Sequence, residues 1–305
     1  MTSNRSIHIH APAKINLVLR VLDRRPDGYH NLWSLMQTVE VADTLAVRTT
    51  PGQPGIHLAC DDVSLPTDRR NLIYRAVEAV LERAGPAVGR DAGLAITLTK
   101  RIPVSAGLGG GSSNAAATIV ALNELFALRW SLTDMMKVGA PLGSDVPFFF
   151  CAPSAVVTGR GEAVEAVTLT GRRWIVLVNP GFPIETKWAY EQLSMRRSSV
   201  APLADSLRRV VGGATASWDQ VIPLMENDFE AAVGPSHPEL AKVAQALRDA
   251  GAEAAMLSGS GATVFGVFSD EASAVCARRA LGAINGWRVL AGPAGAGPLS
   301  CVFDV

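Results

Sequence analysis

Hydrophobic and polar positions alternate at residues 6–10, Ser-Ile-His-Ile-His, the period-two signature of a half-buried strand. A second apolar run spans Ile15 to Leu22, beyond Ala-Pro-Ala-Lys. Pro26, Asp27 and Gly28 then mark a turn, and residues 32–50 return to strand-like composition. A second turn, Pro-Gly-Gln-Pro-Gly at 51–55, precedes a short strand at 56–59. Leu72, Ala76, Val77, Val80 and Leu81 recur at helical spacing, which predicts a helix over 71–84 ended by Gly85-Pro86. Residues 93–104 read as a strand with Ile96 and Leu98 on one face and a basic pair near its end. After a glycine-rich run, residues 114–128 are alanine-rich with an apolar stripe and are predicted helical, followed by a short helix near 133–139.

Val146 to Phe150 and residues 154–167 suggest strands with tight turns. A strand at 174–179 turns at Asn179 to Gly181, and a short helix covers 186–193. Residues 196–217, rich in Ser, Ala, Gly and Arg, read as a loose stretch around one short helix. A helix over 237–252 has Pro238 near its start. Residues 254–268 form a strand, a glycine turn and a strand; 272–284 are helical, and 287–293 begin a terminal strand. This alternation predicts a two-layer α/β sandwich in the second half, with a boundary that divides the chain into 1–165 and 166–305. No internal repeat interrupts it.

At 305 residues the chain has room for two domains, and 48% hydrophobic with 18% charged residues excludes disorder. Lys plus Arg equals Asp plus Glu at 28 each, which sets broad nucleic-acid binding aside. Cys60, Cys151, Cys276 and Cys301 are scattered without CxxC spacing, so neither a zinc knuckle nor a disulfide framework is supported. The N-terminus lacks a signal-peptide stretch, and no uncharged apolar run reaches membrane-spanning length. The expectation is a cytoplasmic protein with reduced thiols.

The run RIPVSAGLGGGSSNAAATI carries the clearest chemical signal. Gly107, Gly109, Gly110 and Gly111 let the backbone approach a ligand closely, and Ser112 and Ser113 can donate hydroxyls or cap the following helix. A helix N-terminus behind such a loop favours phosphate. A Walker A loop is excluded because the run ends Gly-Ser-Ser rather than Gly-Lys-Ser/Thr, and a dinucleotide fingerprint because Ser112 stands where its last glycine belongs. The plain alternative is a flexible turn before a helix. Lys14 is either a solvent-facing strand residue or a cation beside a transferring phosphoryl group. Asp145, in Leu-Gly-Ser-Asp-Val, is either a turn or cap residue or a base for an alcohol. Tyr29, His30 and Tyr190 either pack or stack on a base, and Ser258 to Gly261 is either a second phosphate-facing turn or a hairpin.

Taken together, APAKINL, PxxxGLGGGSSNAA, GSDVPFF and LSGSGATVFG resemble the galactokinase–homoserine kinase–mevalonate kinase–phosphomevalonate kinase superfamily. RPDGYHNL, QTVEVADTL and NPGFPIETKWAY resemble its branch that acts on 4-CDP-2-C-methyl-D-erythritol, and the likeness runs from about residue 8 to 268. The resemblance implies an α+β, two-domain fold. Its N-terminal ATP-binding domain would be ribosomal protein S5 domain 2-like, and its C-terminal domain a ferredoxin-like α/β sandwich. ATP would lie against Pro103, Val104, Ser105, Ala106, Gly107, Leu108, Gly109, Gly110, Gly111, Ser112 and Ser113, with its phosphates at a helix N-terminus near Ser112. Lys14 and Asp145 would be the catalytic pair, with Asn16 and Thr186 beside the acceptor. Tyr29 and Tyr190 would sandwich the cytosine, and His30 would bond its edge. Mg²⁺ would accompany ATP with few protein ligands, so no metal residues are assigned. No nucleic-acid or membrane partner is implied, and the protein would be a monomer or homodimer. The branch often has Gly-Ala-Gly where this chain has Ser105-Ala106-Gly107; a positive φ at Ser105 would strain the loop.

A sister kinase for a simpler alcohol would leave the paired tyrosines unexplained. A non-catalytic nucleotide-binding relative would be marked by loss of Lys14 or Asp145, and both are present. An RNA-binding module lacks a basic-aromatic stripe.

Overall fold

The computed structural model describes residues 5–85, 88, 93–197, 199–200, 202–212, 214–297 and 299–303. Strand β1 (Ser6–Arg24) and strand β2 (His30–Thr49) form one long antiparallel ribbon. The alternating segment at 6–10 and the apolar run at 15–22 thus belong to one strand rather than two. Its turn is closed by the Arg25 N–H donating to the Tyr29 carbonyl at 2.7 Å, with Gly28 at φ 87°. Register shifts near Pro12/Ala13 and between Asn16 and Val18 twist the ribbon. The odd-numbered residues of β1 then serve different cores: Ile7 and Ile9 enter the first, Ile15 and Leu17 the second, and Leu19 and Val21 the third.

Strand β3 (Ile56–Cys60), helix α1 (Leu72–Ala84) and strand β4 (Leu94–Thr99) follow, β4 lying antiparallel to β2 and β3 parallel to β4 at the edge. Asn71 caps α1 by accepting from the Ile73 N–H at 3.0 Å. Helices α2 (Gly110–Leu125), α3 (Leu132–Gly139) and α4 (Val146–Phe150) complete the helical layer with α1. The Val146 to Phe150 run was expected as a strand and is helix α4. Its proline occupies the first helical turn, where no amide donor is needed, and its three phenylalanines are buried in the first core. Strands β5 (Ser154–Gly159) and β6 (Ala163–Ala166) form a hairpin that pairs with β2.

Strand β7 (Thr168–Thr170), strand β8 (Trp174–Asn179), helix α5 (Thr186–Arg196) and helix α6 (Asp205–Val211) come next. Within the stretch expected to be loose, α6 is followed by strand β9 (Thr215–Ser217), which runs parallel to β7. Helix α7 (Trp218–Val221), strand β10 (Glu226–Asn227), helix α8 (Asp228–Val233) and helix α9 (Glu239–Asp249) lead to strands β11 (Ala254–Leu257) and β12 (Val264–Phe268). Helix α10 (Glu271–Gly282), strand β13 (Arg288–Pro293) and strand β14 (Cys301–Phe303) finish the chain.

The second sheet is antiparallel in the order β11-β12-β8-β13, with α9 and α10 packed on it. The architecture is α+β. The 165/166 division falls within β6, before its last residue, Ala166. Two strands from beyond it return to the first sheet: β10 pairs parallel with β1 at Val18 and Leu19, and β14 antiparallel at Ile7 to Ile9. The four cysteines are free thiols, and no helix of the described residues is long and apolar enough to cross a membrane.

Candidate active site

The glycine run walls a cleft of about 1030 Å³. Lys14, Asn16, Pro103 to Ser112, Asp145, Thr186 and Tyr190 border it, as do Gly259, Ser260 and Gly261 of the second glycine turn. Ser113, Tyr29 and His30 do not.

Helix α2 begins at Gly110, earlier than the expected start near Ser112. Gly109 is its N-cap at φ 67°, and no side chain caps it. A left-handed residue at this point turns the chain into the helix within the glycine run, leaving the amides of Gly110, Gly111 and Ser112 as N-terminal donors. Ser112 and Ser113 therefore lie inside the helix instead of capping it. Ser113 is fully buried with its hydroxyl unpartnered. Gly109 is constrained twice, since a Cβ there would also stand 2.8 Å from Lys14 Cγ. Ser105 takes a φ of 52°, the strained case foreseen from its sequence position.

The second glycine turn is bonded to the first. Ser258 Oγ donates to the Gly107 carbonyl at 3.0 Å, and the Thr263 N–H to the Ala106 carbonyl at 3.3 Å. A Cβ on Gly107 would lie 2.1 Å from the Ser258 carbonyl oxygen, so the two backbones meet where only glycine fits. Ser258 to Gly261 lies in the connection of the antiparallel β11–β12 pair, and Gly259, Ser260 and Gly261 border the cleft.

Lys14 and Asn16 are two residues apart on β1 and so share a face, opposite Ile15 and Leu17. The Lys14 N–H donates to the Leu108 carbonyl at 2.9 Å, tying the strand to the glycine run. Lys14 is 4% exposed, and its ammonium donates to Asn16 Oδ1 at 2.8 Å and lies 3.4 Å from Asp145 Oδ2. A buried cation needs such partners to offset desolvation. Asn16 is aimed in turn, donating from Nδ2 to Ser34 Oγ at 2.8 Å, while Ser34 donates to the Val18 carbonyl at 2.7 Å. Asp145 sits at the α4 N-cap without making a side-chain cap bond, which leaves its carboxylate turned to Lys14.

At the far end, Tyr190 is mostly buried, and burial together with the nearby Asp145 charge pushes its phenol up to about 12. His30 stacks on Tyr190 with ring centroids 5.2 Å apart, and Phe229 meets Tyr190 edge-on at 4.9 Å. Burial, then the charges of Arg24 and Arg197, lower the His30 pKa and favour its neutral form. The partner on the Tyr190 ring is thus His30 rather than Tyr29. Tyr29 is 60% exposed, with the Arg160 guanidinium 5.1 Å above its ring. Thr186 Oγ1 lies 3.1 Å from Ser260 Oγ and joins α5 to the second glycine turn.

Sequence reading missed Lys100, Asp43, Asn114 and Phe229. Asp43 is fully buried and ion-paired with Lys100; its Oδ1 accepts the Arg101 and Ile102 N–H groups at 2.7 and 2.9 Å. A Cβ on Gly110 would stand 3.3 Å from Lys100 Nζ, which places this ammonium beside the α2 N-terminus. An aspartate inside the apolar run Val-Ala-Asp-Thr-Leu was the available signal. Asn114 borders the cleft at 4% exposure with its Oδ1 unpartnered.

Residues 71–152 match the GHMP kinases N terminal domain, and residues 204–285 the GHMP kinases C terminal domain. A 4-diphosphocytidyl-2-C-methyl-D-erythritol kinase of Syntrophotalea carbinolica is 41% identical over 92% of this chain and 96% of its own length. One of Syntrophus aciditrophicus is 40% identical over 93% of this chain and 97% of its own. Among solved structures, a 4-(cytidine 5'-diphospho)-2C-methyl-D-erythritol kinase superposes with a TM-score of 0.76 at 34% identity, covering 95% of this chain and all of the other. A homoserine kinase of Cytophaga hutchinsonii superposes with a TM-score of 0.75 at 22% identity over 97% of both chains, a likeness of fold.

Proposed function

Because the chain belongs to the GHMP kinases, and within them to the 4-diphosphocytidyl-2-C-methyl-D-erythritol kinase family, we propose that it phosphorylates the 2-hydroxyl of 4-CDP-2-C-methyl-D-erythritol. ATP is the donor, and the 2-phosphate and ADP are the products, a step of the non-mevalonate route to isoprenoid precursors. The observation that carries the reading is the Lys14–Asp145 pair at 3.4 Å inside a cleft walled by the glycine run.

In this reading Asp145 takes the proton of the acceptor hydroxyl as its oxygen attacks the terminal phosphorus and the bond to ADP breaks. Lys14 offsets the charge that develops on the transferred group, and Asn16 orients both the ammonium and the hydroxyl. The ATP phosphates lie on the Gly110 to Ser112 amides, with Pro103 to Gly109 against the rest of the nucleotide. Ser113 supports the helix start from inside. Cytosine stacks on Tyr190, taking the ring face that His30 now covers and moving His30 to the base edge, while Tyr29 closes from the other side. Thr186 lies beside the same substrate.

Mg²⁺ would enter with ATP. Among the described residues no three His, Cys, Asp or Glu side chains cluster to hold a metal. The Ser112 hydroxyl, the Asp145 carboxylate and the unpartnered Asn114 Oδ1 are oxygen donors on the cleft and fit a cation carried mainly by phosphates. Bound there, it would supply charge neutralisation of the phosphate oxygens.

The finer fold reading belongs to the same proposal. The order β11-β12-β8-β13 with packed helices suits a ferredoxin-like unit within 166–305, and the first sheet with its helices suits a ribosomal protein S5 domain 2-like unit within 1–165. We place the protein in the cytoplasm, as a monomer or homodimer.

The test offers purified protein ATP and Mg²⁺ with 4-CDP-2-C-methyl-D-erythritol, homoserine or mevalonate in parallel. ADP release with the cytidyl alcohol alone is expected; equal release with all three, or none, overturns the reading. Asp145→Asn is expected to lower kcat by about 100-fold or more while ATP affinity stays within about threefold. Near-normal turnover in that variant removes Asp145 from the mechanism.

A further inference from the structure

The four side chains of Asn227-Asp228-Phe229-Glu230 reach three different parts of the fold: β1, helix α5 with the residue after it, and the end of β11 with the turn that follows. Asp228 Oδ2 accepts the Val21 N–H at 2.8 Å and Arg197 Nη1 at 3.1 Å, and Oδ1 lies 3.1 Å from Arg20 Nε. Phe229 braces Tyr190. Glu230 Oε1 accepts the Leu257 N–H at 2.9 Å. Asn227, 6% exposed, donates from one Nδ2 to the carbonyls of both Leu257 and Gly259, each at 2.8 Å, and its Oδ1 accepts the Phe229 N–H at 2.9 Å.

We propose that Asn227 is a positioning residue for phosphoryl transfer, holding the Ser258 to Gly261 turn where it faces the Lys14 ammonium and the glycine run. The turn is bonded to the glycine run from the front through Ser258 and Thr263; Asn227 holds it from behind. A Cβ on Gly259 would lie 3.6 Å from Lys14 Nζ and 3.2 Å from the Gly107 carbonyl oxygen, so little room exists for the turn to shift without disturbing both. The choice of residue type supports the assignment. Asp would cap α8 as well as Asn does, but only a primary amide also carries two N–H donors for two carbonyls. Freed of Asn227, those carbonyls lose their buried partner and the turn is free to reorient. Displacement of about 1 Å at a reacting centre is enough to cost about 100-fold in rate.

The role rests on the kinase reading, and the two failures are distinct. An inactive wild type counts against that reading, whereas an active wild type with an equally active Asn227→Asp variant counts against the positioning role. The experiment measures kcat, both KM values and the melting temperature for full-length wild type, Asn227→Asp, Asn227→Ala and Asp270→Ala. Asp270 caps α10 by accepting the Ser273 N–H at 2.9 Å and is absent from the cleft border, so it reports the effect of a lost cap alone. Both Asn227 variants are expected to lose about 30-fold or more in kcat with the ATP KM within about threefold, and Asp270→Ala to keep its kcat despite a lower melting temperature. A kcat for Asn227→Asp within about threefold of wild type would reduce Asn227 to a helix cap. Should the Asn227 variants fail to fold, Ser258→Ala deletes a single oxygen from the front of the same turn. It is expected to lower kcat in the same selective way, and an unchanged kcat there overturns the proposal.

Discussion

Ser105 opens the cleft-bordering glycine run with a φ of 52°, a conformation in which its Cβ crowds the backbone. Ser105→Gly relieves that crowding but loosens the unfolded chain, so a net gain of up to about 1 kcal/mol is expected, read as a higher urea midpoint at unchanged slope. An unchanged or lower midpoint would show that the loop carries no strain at this residue. Tyr190 makes a different demand. Its ring is held between His30 and Phe229, and a stacked base is worth roughly 1–3 kcal/mol. Tyr190→Ala should therefore raise the KM for the cytidyl acceptor by about 10-fold or more while the ATP KM moves by less than about threefold. Equal weakening of both substrates would argue against stacking.

Two elements show how local chemistry departs from composition. Val-Pro-Phe-Phe-Phe has the aromatic content of a strand, yet proline fits the first turn of α4, and the helix delivers Asp145 at its N-cap toward Lys14. Helix α2 starts at Gly110 because Gly109 can adopt φ 67°, an allowance that composition suggests but does not locate. Helix α8 carries Glu230, whose carboxyl burial pushes its pKa up, against the smaller pulls of the Leu257 N–H and the Arg248 charge. The raised value means that folding favours the protonated carboxyl: the favourable contribution is present at acidic pH and is lost as pH rises through the shifted pKa. Glu230→Gln keeps an acceptor for Leu257 without a charge to desolvate. Its melting temperature is expected above wild type at pH 7.5, with the gap closing towards pH 4. A gap that widens on acidification would contradict the sign.

Across the whole molecule, β1 supplies residues to all three cores and pairs with strands from the far end of the chain. Arg197, from the stretch that the sequence marks as loose, ties this ribbon to α8. Its Nη1 donates to the Val21 carbonyl at 2.5 Å and to Asp228 at 3.1 Å, and its Nη2 to the Leu22 carbonyl at 3.1 Å. Arg197→Ala should cost about 2 kcal/mol in denaturant-measured stability, since charge-assisted bonds of this kind are worth about that much. Paired with Asp228→Asn, the combined loss should fall short of the sum of the single losses, because the two share one interaction. Strict additivity would show that the contact carries no energy.

The sequence by itself determined the elements whose signal is local. Residues 6–10 alternate, residues 71–84 carry an apolar stripe at helical spacing, and the glycine run favours a close backbone approach. Only the tertiary structure decided which of these meet. Asp145 lies 131 positions beyond Lys14, and no spacing rule brings a strand residue to a helix cap; packing of α4 into the first core does. His30 rather than Tyr29 covers Tyr190 because a turn residue's direction depends on what its strand packs against. Asn227 gained its place because a two-residue strand registers on β1 and aims one amide at two carbonyls some thirty residues away. The glycine run pointed to a close backbone approach from conformational freedom alone, while the side chains around it were assembled by long-range burial.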